Sequence, residues 1–194
     1  MTVFAAIVAI YAFAVAIVPA VRPPFLRERF LTVPMPAFSH IFFGGIALAA
    51  GALQFNARLR ERRRAVHRAI GRIYVLCVFT SGLMALVLAS LSQGGMVAHA
   101  GFALLAIAWL ATTSTAFRMI RNVDVVRHRE WMIRSYSLTL AAVTLRLYIP
   151  LSLIAGVSFE VAYPVISWAC WVPNLIVAEL LILRKQPAGA VAAA

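Results

Sequence analysis

Between Arg58 and Arg72 the chain reads RLRERRRAVHRAIGR, seven arginines and one histidine set between two long apolar runs. Short loops crowded with arginine stay on the cytoplasmic side of a membrane, so this stretch orients every neighbouring segment by alternation. His67 accordingly belongs to the inner face.

Working outward, 63% of the 194 residues are hydrophobic and the mean hydropathy is +0.92, far above a soluble globule. Six apolar segments stand near Val3–Val21, Ala37–Ala57, Ile73–Leu91, Met96–Phe117, Trp131–Ala155 and Val161–Leu183. Each is long enough, at ~1.5 Å per residue, for a hydrocarbon core of ~30 Å. The expected fold is all-α and integral to the membrane. Six transmembrane helices form one domain over residues 1–185, spans two to five making a four-helix core with two flanking helices, and residues 186–194 form a disordered tail.

In a soluble protein the net charge of +12 would point to nucleic acid. Here the basic residues follow topology, and no nucleic-acid partner is expected. Fourteen lie after span two, around the loop after span four and at the C-terminus, against three (Arg22, Arg27 and Arg29) on the opposite side. That asymmetry predicts both termini inside. No Lys or Arg precedes the first span and its apolar run exceeds a signal-peptide core, so it reads as a retained helix, peripheral and without visible chemistry. Pro23, Pro24, Pro34 and Pro36 predict a stiff, partly extended connection over Arg22–Pro36. Cys77 and Cys170 both fall inside spans and read as packing residues.

The chemistry rests on the four histidines, each at the end of one of four successive helices. His40 and His99 lie one turn inside the outer boundary, His67 and His128 at the inner face, where Asp124 can cap the helix carrying His128. The two layers are separated by roughly 20 Å or more of helix rise, so one ion cannot use all four. Each layer does supply a pair, and facing neutral imidazoles in an apolar bundle suit the two axial positions of a haem iron. Two b-type haems in one bundle would form an electron path across the bilayer. Arg127 and Arg129 flank His128 and are grouped with it.

Small residues accompany the histidines. His40, Gly44, Ala47, Gly51 and Gln54 share one helix face, and Gly71 follows His67 by one turn. Such a strip either admits a close neighbouring helix or leaves room for a flat cofactor. Arg146 is the basic residue placed well inside a span, and 18 residues, about five turns, put it on the face of His128 with Ser135, Thr139 and Ala142 between them. An intramembrane arginine is costly and marks a functional site. It is expected to neutralise a propionate of the outer haem or to bond backbone carbonyls, Asn174 or Glu179.

This layout resembles the cytochrome b-561 superfamily, whose single histidines on helices two to five pair two-with-four and three-with-five. The resemblance implies His40 with His99 on one haem b and His67 with His128 on the other; the lone lysine, Lys185, leaves a lysine-based ascorbate site without a counterpart. The wording HRAIGRIY at His67–Tyr74, HREWMIRSYSLTLAAVTLRLYIP at His128–Pro150 and WVPN at Trp171–Asn174 is similar to a bacterial family of predicted membrane proteins, domain of unknown function 2306. That likeness implies a six-helix protein of the bacterial inner membrane.

Three functions compete. The first is a transmembrane electron carrier, with the bilayer, a quinone or small redox donor, and a second copy of the chain as partners. The second is a zinc-dependent hydrolase, which needs about three protein ligands in one shell and has no HExxH here. The third is a cofactor-free transporter subunit or scaffold, for which packed helices suffice.

Overall fold

The computed structural model describes residues 2–184; Lys185 and the 186–194 tail lie outside the described residues. The described chain is helical throughout: α1 (Thr2–Ile17), a 3-10 turn at Pro19–Val21, α2 (Pro24–Thr32), α3 (Pro34–Gln54), α4 (Ala57–Arg62), α5 (Arg64–Ser90), α6 (Gly95–Arg121), α7 (Val125–Thr139), α8 (Ala141–Ile154), α9 (Phe159–Ala169) and α10 (Val172–Leu183).

Five segments are long and apolar enough to cross a membrane: α3, α5, α6, the pair α7–α8 and the pair α9–α10. The expected sixth is shorter than its apolar run suggested. Pro19 opens a 3-10 turn, which leaves α1 with 16 residues, or about 24 Å by rise against a ~30 Å core. Its placement is peripheral, as expected. Ala5, Ala9, Ala12, Val15 and Ala16 are buried while Val3, Phe4, Ile7 and Ile10 are exposed, and α1 packs on α3, where a Cβ on Gly45 would meet Ala12 Cβ at 3.2 Å.

The proline-rich connection is helical rather than extended. Pro24 and Pro34 each occupy the first helical position of α2 and α3, where the missing N–H costs nothing and the fixed φ favours the turn. Polar caps start two further helices. Asn56 Oδ1 accepts from Leu59 N at 3.2 Å at α4, and Asp124 Oδ1 accepts from Arg127 N at 2.9 Å at α7, as its position predicted. Gly94, at φ 88°, supplies the left-handed residue that reverses the chain between α5 and α6.

Packing forms a ring. α5 lies against α3 and α6, α6 against α5, α7 and α9, and α7 closes on α3 and α10. In this ring α3 stands opposite α6, and α5 opposite α7. Tyr136 ties α7 to α3 by donating to the Leu48 carbonyl at 3.2 Å.

The last two spans are each broken. Between α7 and α8 the chain tightens at Leu140, whose carbonyl accepts from both Val143 N and Thr144 N. Between α9 and α10 it breaks at Cys170 and Trp171, ahead of Pro173, which has no N–H to offer. Asn174 lies across both breaks. Its amide Nδ2 is 3.3 Å from the Ser137 carbonyl, 3.0 Å from Thr144 Oγ1 and 3.0 Å from the Cys170 carbonyl. Inside a bilayer such donors must come from the protein itself.

Candidate functional site

On α5, residues seven apart share a face, and His67, Tyr74 and Ser81 occupy such steps. Each meets the bundle interior differently. Ser81 holds His40 of α3, Tyr74 holds α7, and His67 lies within electrostatic reach of His128 and Arg60. Facing α5, α7 carries His128, Ser135 and Thr139, and Arg146 lies beyond the break at Leu140, on α8.

Midway between the histidine layers is a buried hydroxyl cluster. Tyr74 Oη lies 2.7 Å from Ser135 Oγ and 2.9 Å from Thr139 Oγ1, Trp109 Nε1 donates to Thr139 Oγ1 at 2.9 Å, and Thr113 Oγ1 lies 2.7 Å from Ser135 Oγ. Tyr74, Thr113 and Ser135 are wholly buried. The cluster joins α5, α6 and α7 without a charge, which suits a core that no water reaches. Ser135 and Thr139 stood on an expected inward face, whereas Tyr74, Trp109 and Thr113 had no expected role. The seven-residue step from His67 through Tyr74 to Ser81 was the signal that could have found them.

The hydrogen bonds fix three of the four imidazoles. Ser81 Oγ donates its only proton to the His40 carbonyl at 2.9 Å, so toward the ring it can only accept. His40 Nδ1–H therefore donates to Ser81 Oγ at 3.0 Å and to the Ser81 carbonyl at 3.1 Å. His128 Nδ1–H donates to the Ala116 carbonyl at 2.8 Å. In both rings Nε2 is left as the lone-pair nitrogen, the orientation in which a backbone carbonyl commonly holds a metal-ligating histidine. His99 is reversed: its Nε2–H donates to the Ser92 carbonyl at 2.8 Å. His67 Nδ1 is buried with no hydrogen-bond partner among the described residues, an arrangement that costs free energy unless a ligand supplies one.

The inner layer thus offers a ring nitrogen without a hydrogen bond on both His67 and His128, and the outer layer a free Nε2 only on His40. For His99 to offer Nε2 it must give up the Ser92 bond, a net cost of about 1 kcal/mol, small beside an iron–nitrogen bond. Each pair lies on opposite helices of the ring, α3 with α6 and α5 with α7. The layers are fourteen residues apart along α5, from His67 to the Ser81 that holds His40, or about 21 Å of rise.

The glycines are occupied by neighbouring side chains. A Cβ on Gly44 would meet Ser81 Oγ at 3.2 Å, and one on Gly71 would meet Gln54 Oε1 at 3.7 Å. One on Gly51 would overlap the Tyr136 ring and approach Tyr74 at 2.9 Å. The strip running from His40 to Gln54 thus serves the close approach of α5 and α7. Gln54 ends it by donating to the His67 carbonyl at 3.1 Å.

Arg146 donates to the Ala142 carbonyl at 2.8 Å, lies 5.6 Å from the Tyr11 ring centroid and is within electrostatic reach of His40. Neither Asn174 nor Glu179 is its partner. Asn174 bridges the helix breaks, and Glu179 takes a two-pronged hydrogen bond from Arg134, at 2.6 and 2.8 Å. Arg127 and Arg129 are exposed, and Arg127 pairs with Asp124 at 3.6 Å. Cys77 and Cys170 are free and buried. Among the described residues no three of His, Cys, Asp or Glu converge on a common point, so the three-ligand shell of a zinc hydrolase does not form.

The sequence profile of a family described as predicted membrane protein (DUF2306) matches residues 37–182, from α3 to the last turn of α10. The chain belongs to this family. The matched region holds all four histidines, the hydroxyl cluster, Arg146 and the Asn174 bridge, and leaves out α1 and α2. No curated protein and no solved structure matches the chain. The family description establishes membership of a membrane-embedded, multi-pass helical class in contact with lipid, so the chemistry of this DUF2306 member is argued from its residues.

Proposed function

We propose that the chain is a transmembrane electron-transfer protein that holds two b-type haems inside the ring of α3, α5, α6 and α7, one between His40 and His99 and one between His67 and His128. The observation that carries this reading is that each histidine pair lies on opposite helices of one ring, in two layers about 21 Å apart by rise. Bound haem supplies a one-electron iron couple; the protein supplies position and electrostatics. Ser81 and the Ala116 carbonyl hold the His40 and His128 rings with Nε2 bare. Arg146, beside His40, offers N–H donors and positive charge to a propionate carboxylate. The hydroxyl cluster around Tyr74 packs the space between the layers and keeps it dry. In the same reading α1 is a sixth crossing, both termini face the cytoplasm of a bacterial inner membrane, a quinone or small reductant is the redox partner, and a second copy of the chain completes the assembly.

The test is a reduced-minus-oxidised optical spectrum of the purified protein with its haem-to-protein ratio. Two low-spin b-type haems per chain are expected. A colourless, folded preparation from haem-replete cells would sink the proposal.

One observation favours a second reading, a cofactor-free transporter subunit or scaffold. The two adjacent broken spans, α7–α8 and α9–α10, resemble the discontinuous helices from which transporters build midplane sites, and the glycine strip is filled by protein side chains. A colourless protein whose unfolding temperature rises with a specific solute would select this reading.

A further inference from the structure

α1 stands outside the matched family region, yet it packs on both α3 and α8 and lays a tyrosine against the charge that α8 carries. Arg146 Cζ is 5.6 Å from the Tyr11 ring centroid, inside the ~6 Å over which a ring face attracts a cation. Counting inward from the helix ends, Tyr11 is six residues from Ile17, His40 six from Pro34 and Arg146 eight from Ile154. At ~1.5 Å of rise per residue these are depths of about 9, 9 and 12 Å. Three helices therefore bring a phenol ring, an imidazole and a guanidinium to one level of the bundle, with the charge in electrostatic reach of the imidazole.

The guanidinium is loosely held for a charge inside a membrane. Among the described residues its one hydrogen bond goes to the Ala142 carbonyl at 2.8 Å, and none of their ion pairs includes it. That bond turns the side chain back along its own helix, away from Ile154 and the lipid headgroups beyond, so the charge does not snorkel out. An intramembrane arginine without a carboxylate is costly and calls for an anionic partner. A single carbonyl on the same helix leaves a long, flexible side chain free to turn about its stem. The Tyr11 ring, on a different helix, supplies a second fixed point.

We propose that Tyr11 is a positioning residue of the outer haem site: its ring holds the Arg146 guanidinium at the level of His40, where the charge faces a haem propionate and raises the potential of that haem. The inference rests on the two-haem reading and gives α1 a part in it. A helix whose Val3, Phe4, Ile7 and Ile10 are exposed on one side thus turns a polarisable ring to the site on the other.

Redox titration of the detergent-purified full chain tests the assignment, comparing the wild type with Tyr11→Leu, Arg146→Gln and the double variant. Tyr11→Leu removes the ring and keeps an apolar side chain. It should lower the midpoint potential of the outer haem, by less than Arg146→Gln does, and leave the inner haem unmoved, because a released guanidinium spends time farther from the propionate. In the Arg146→Gln background the same change should add nothing, since a residue that acts only through another has no effect once that other is gone. Tyr11→Phe keeps the ring face and should keep the wild-type potential. Tyr11→Met, of similar reach without a ring, decides if the leucine variant does not fold. An outer potential that ignores loss of the ring, or that falls equally with and without Arg146, overturns the inference. A second readout needs no haem: in protein carrying isotope-labelled arginine, the NMR signal of Arg146 Nε–H should move in Tyr11→Leu and stay in Tyr11→Phe. A signal indifferent to loss of the ring overturns the contact itself. A colourless protein sinks the two-haem reading, whereas a two-haem protein whose outer potential ignores Tyr11 sinks this inference alone.

Discussion

Ser81 and His40 bind each other through three hydrogen bonds: the serine hydroxyl donates to the histidine backbone carbonyl, and the imidazole Nδ1–H is shared between the serine hydroxyl and carbonyl. A single small residue on α5 therefore sets both the tautomer and the direction of a ring on α3. Ser81→Ala removes the two bonds made by the hydroxyl and keeps the carbonyl. It should cost about 1–2 kcal/mol in detergent unfolding and lower the occupancy of the outer haem. Ser114→Ala, whose hydroxyl bonds only its own helix at Leu110, is the control. Equal behaviour of the two variants would show that the His40 ring is held by packing alone.

His67→Ala and His99→Ala should separate, because the two residues sit in different layers on different helices. Each should remove one haem from the optical spectrum and spare the other, and either should stop electron transfer across the bilayer. Loss of both haems from each single change, in protein that still runs as a folded species on gel filtration, contradicts two independent sites.

Gly51 and Gly71 should respond differently to the same added methyl group. At Gly51 the new Cβ overlaps the Tyr136 ring, itself held to the Leu48 carbonyl, whereas at Gly71 it meets Gln54 at an ordinary 3.7 Å. Gly51→Ala should destabilise by about 1–3 kcal/mol, the usual cost of overpacking a filled core, and Gly71→Ala by much less. Thermal unfolding in detergent measures both, and a Gly71→Ala loss equal to that of Gly51→Ala would refute the packing described here.

Arg146→Gln tests the electrostatics of the outer layer. A positive charge beside a haem disfavours its oxidised form, so removing the charge should lower the midpoint potential of the outer haem and leave the inner one in place. An unchanged redox titration of both haems would remove Arg146 from the site and leave its bond to the Ala142 carbonyl as its structural role.

The sequence made the helices legible where chemistry and period agree. The period from His128 predicted an inward face at Ser135 and Thr139, and both are buried; its extension to Arg146 assumed a continuous helix, which is broken at Leu140. The Asp124 cap was also readable, because it depends on local position. Contacts set by the register between distant helices were not: nothing in the string pairs Ser81 with His40 or turns His99 toward Ser92. The break at Leu140 carries neither glycine nor proline, so its signal lies in Asn174, thirty-four residues away. Proline misled in the opposite direction at α2 and α3, because a residue that ends a helix inside also starts one well. At α1 the hydropathy ran on past the point where Pro19 stops the helix.

The Asn174 amide has a consequence for how the C-terminal third is assembled. Its NH2 group serves carbonyls in two different broken spans, at Ser137 and at Cys170, and lipid can satisfy neither. The bend in each span is thus a joint property of the two. As the chain is inserted, the α7–α8 span cannot complete its final shape until the α9–α10 span has arrived beside it.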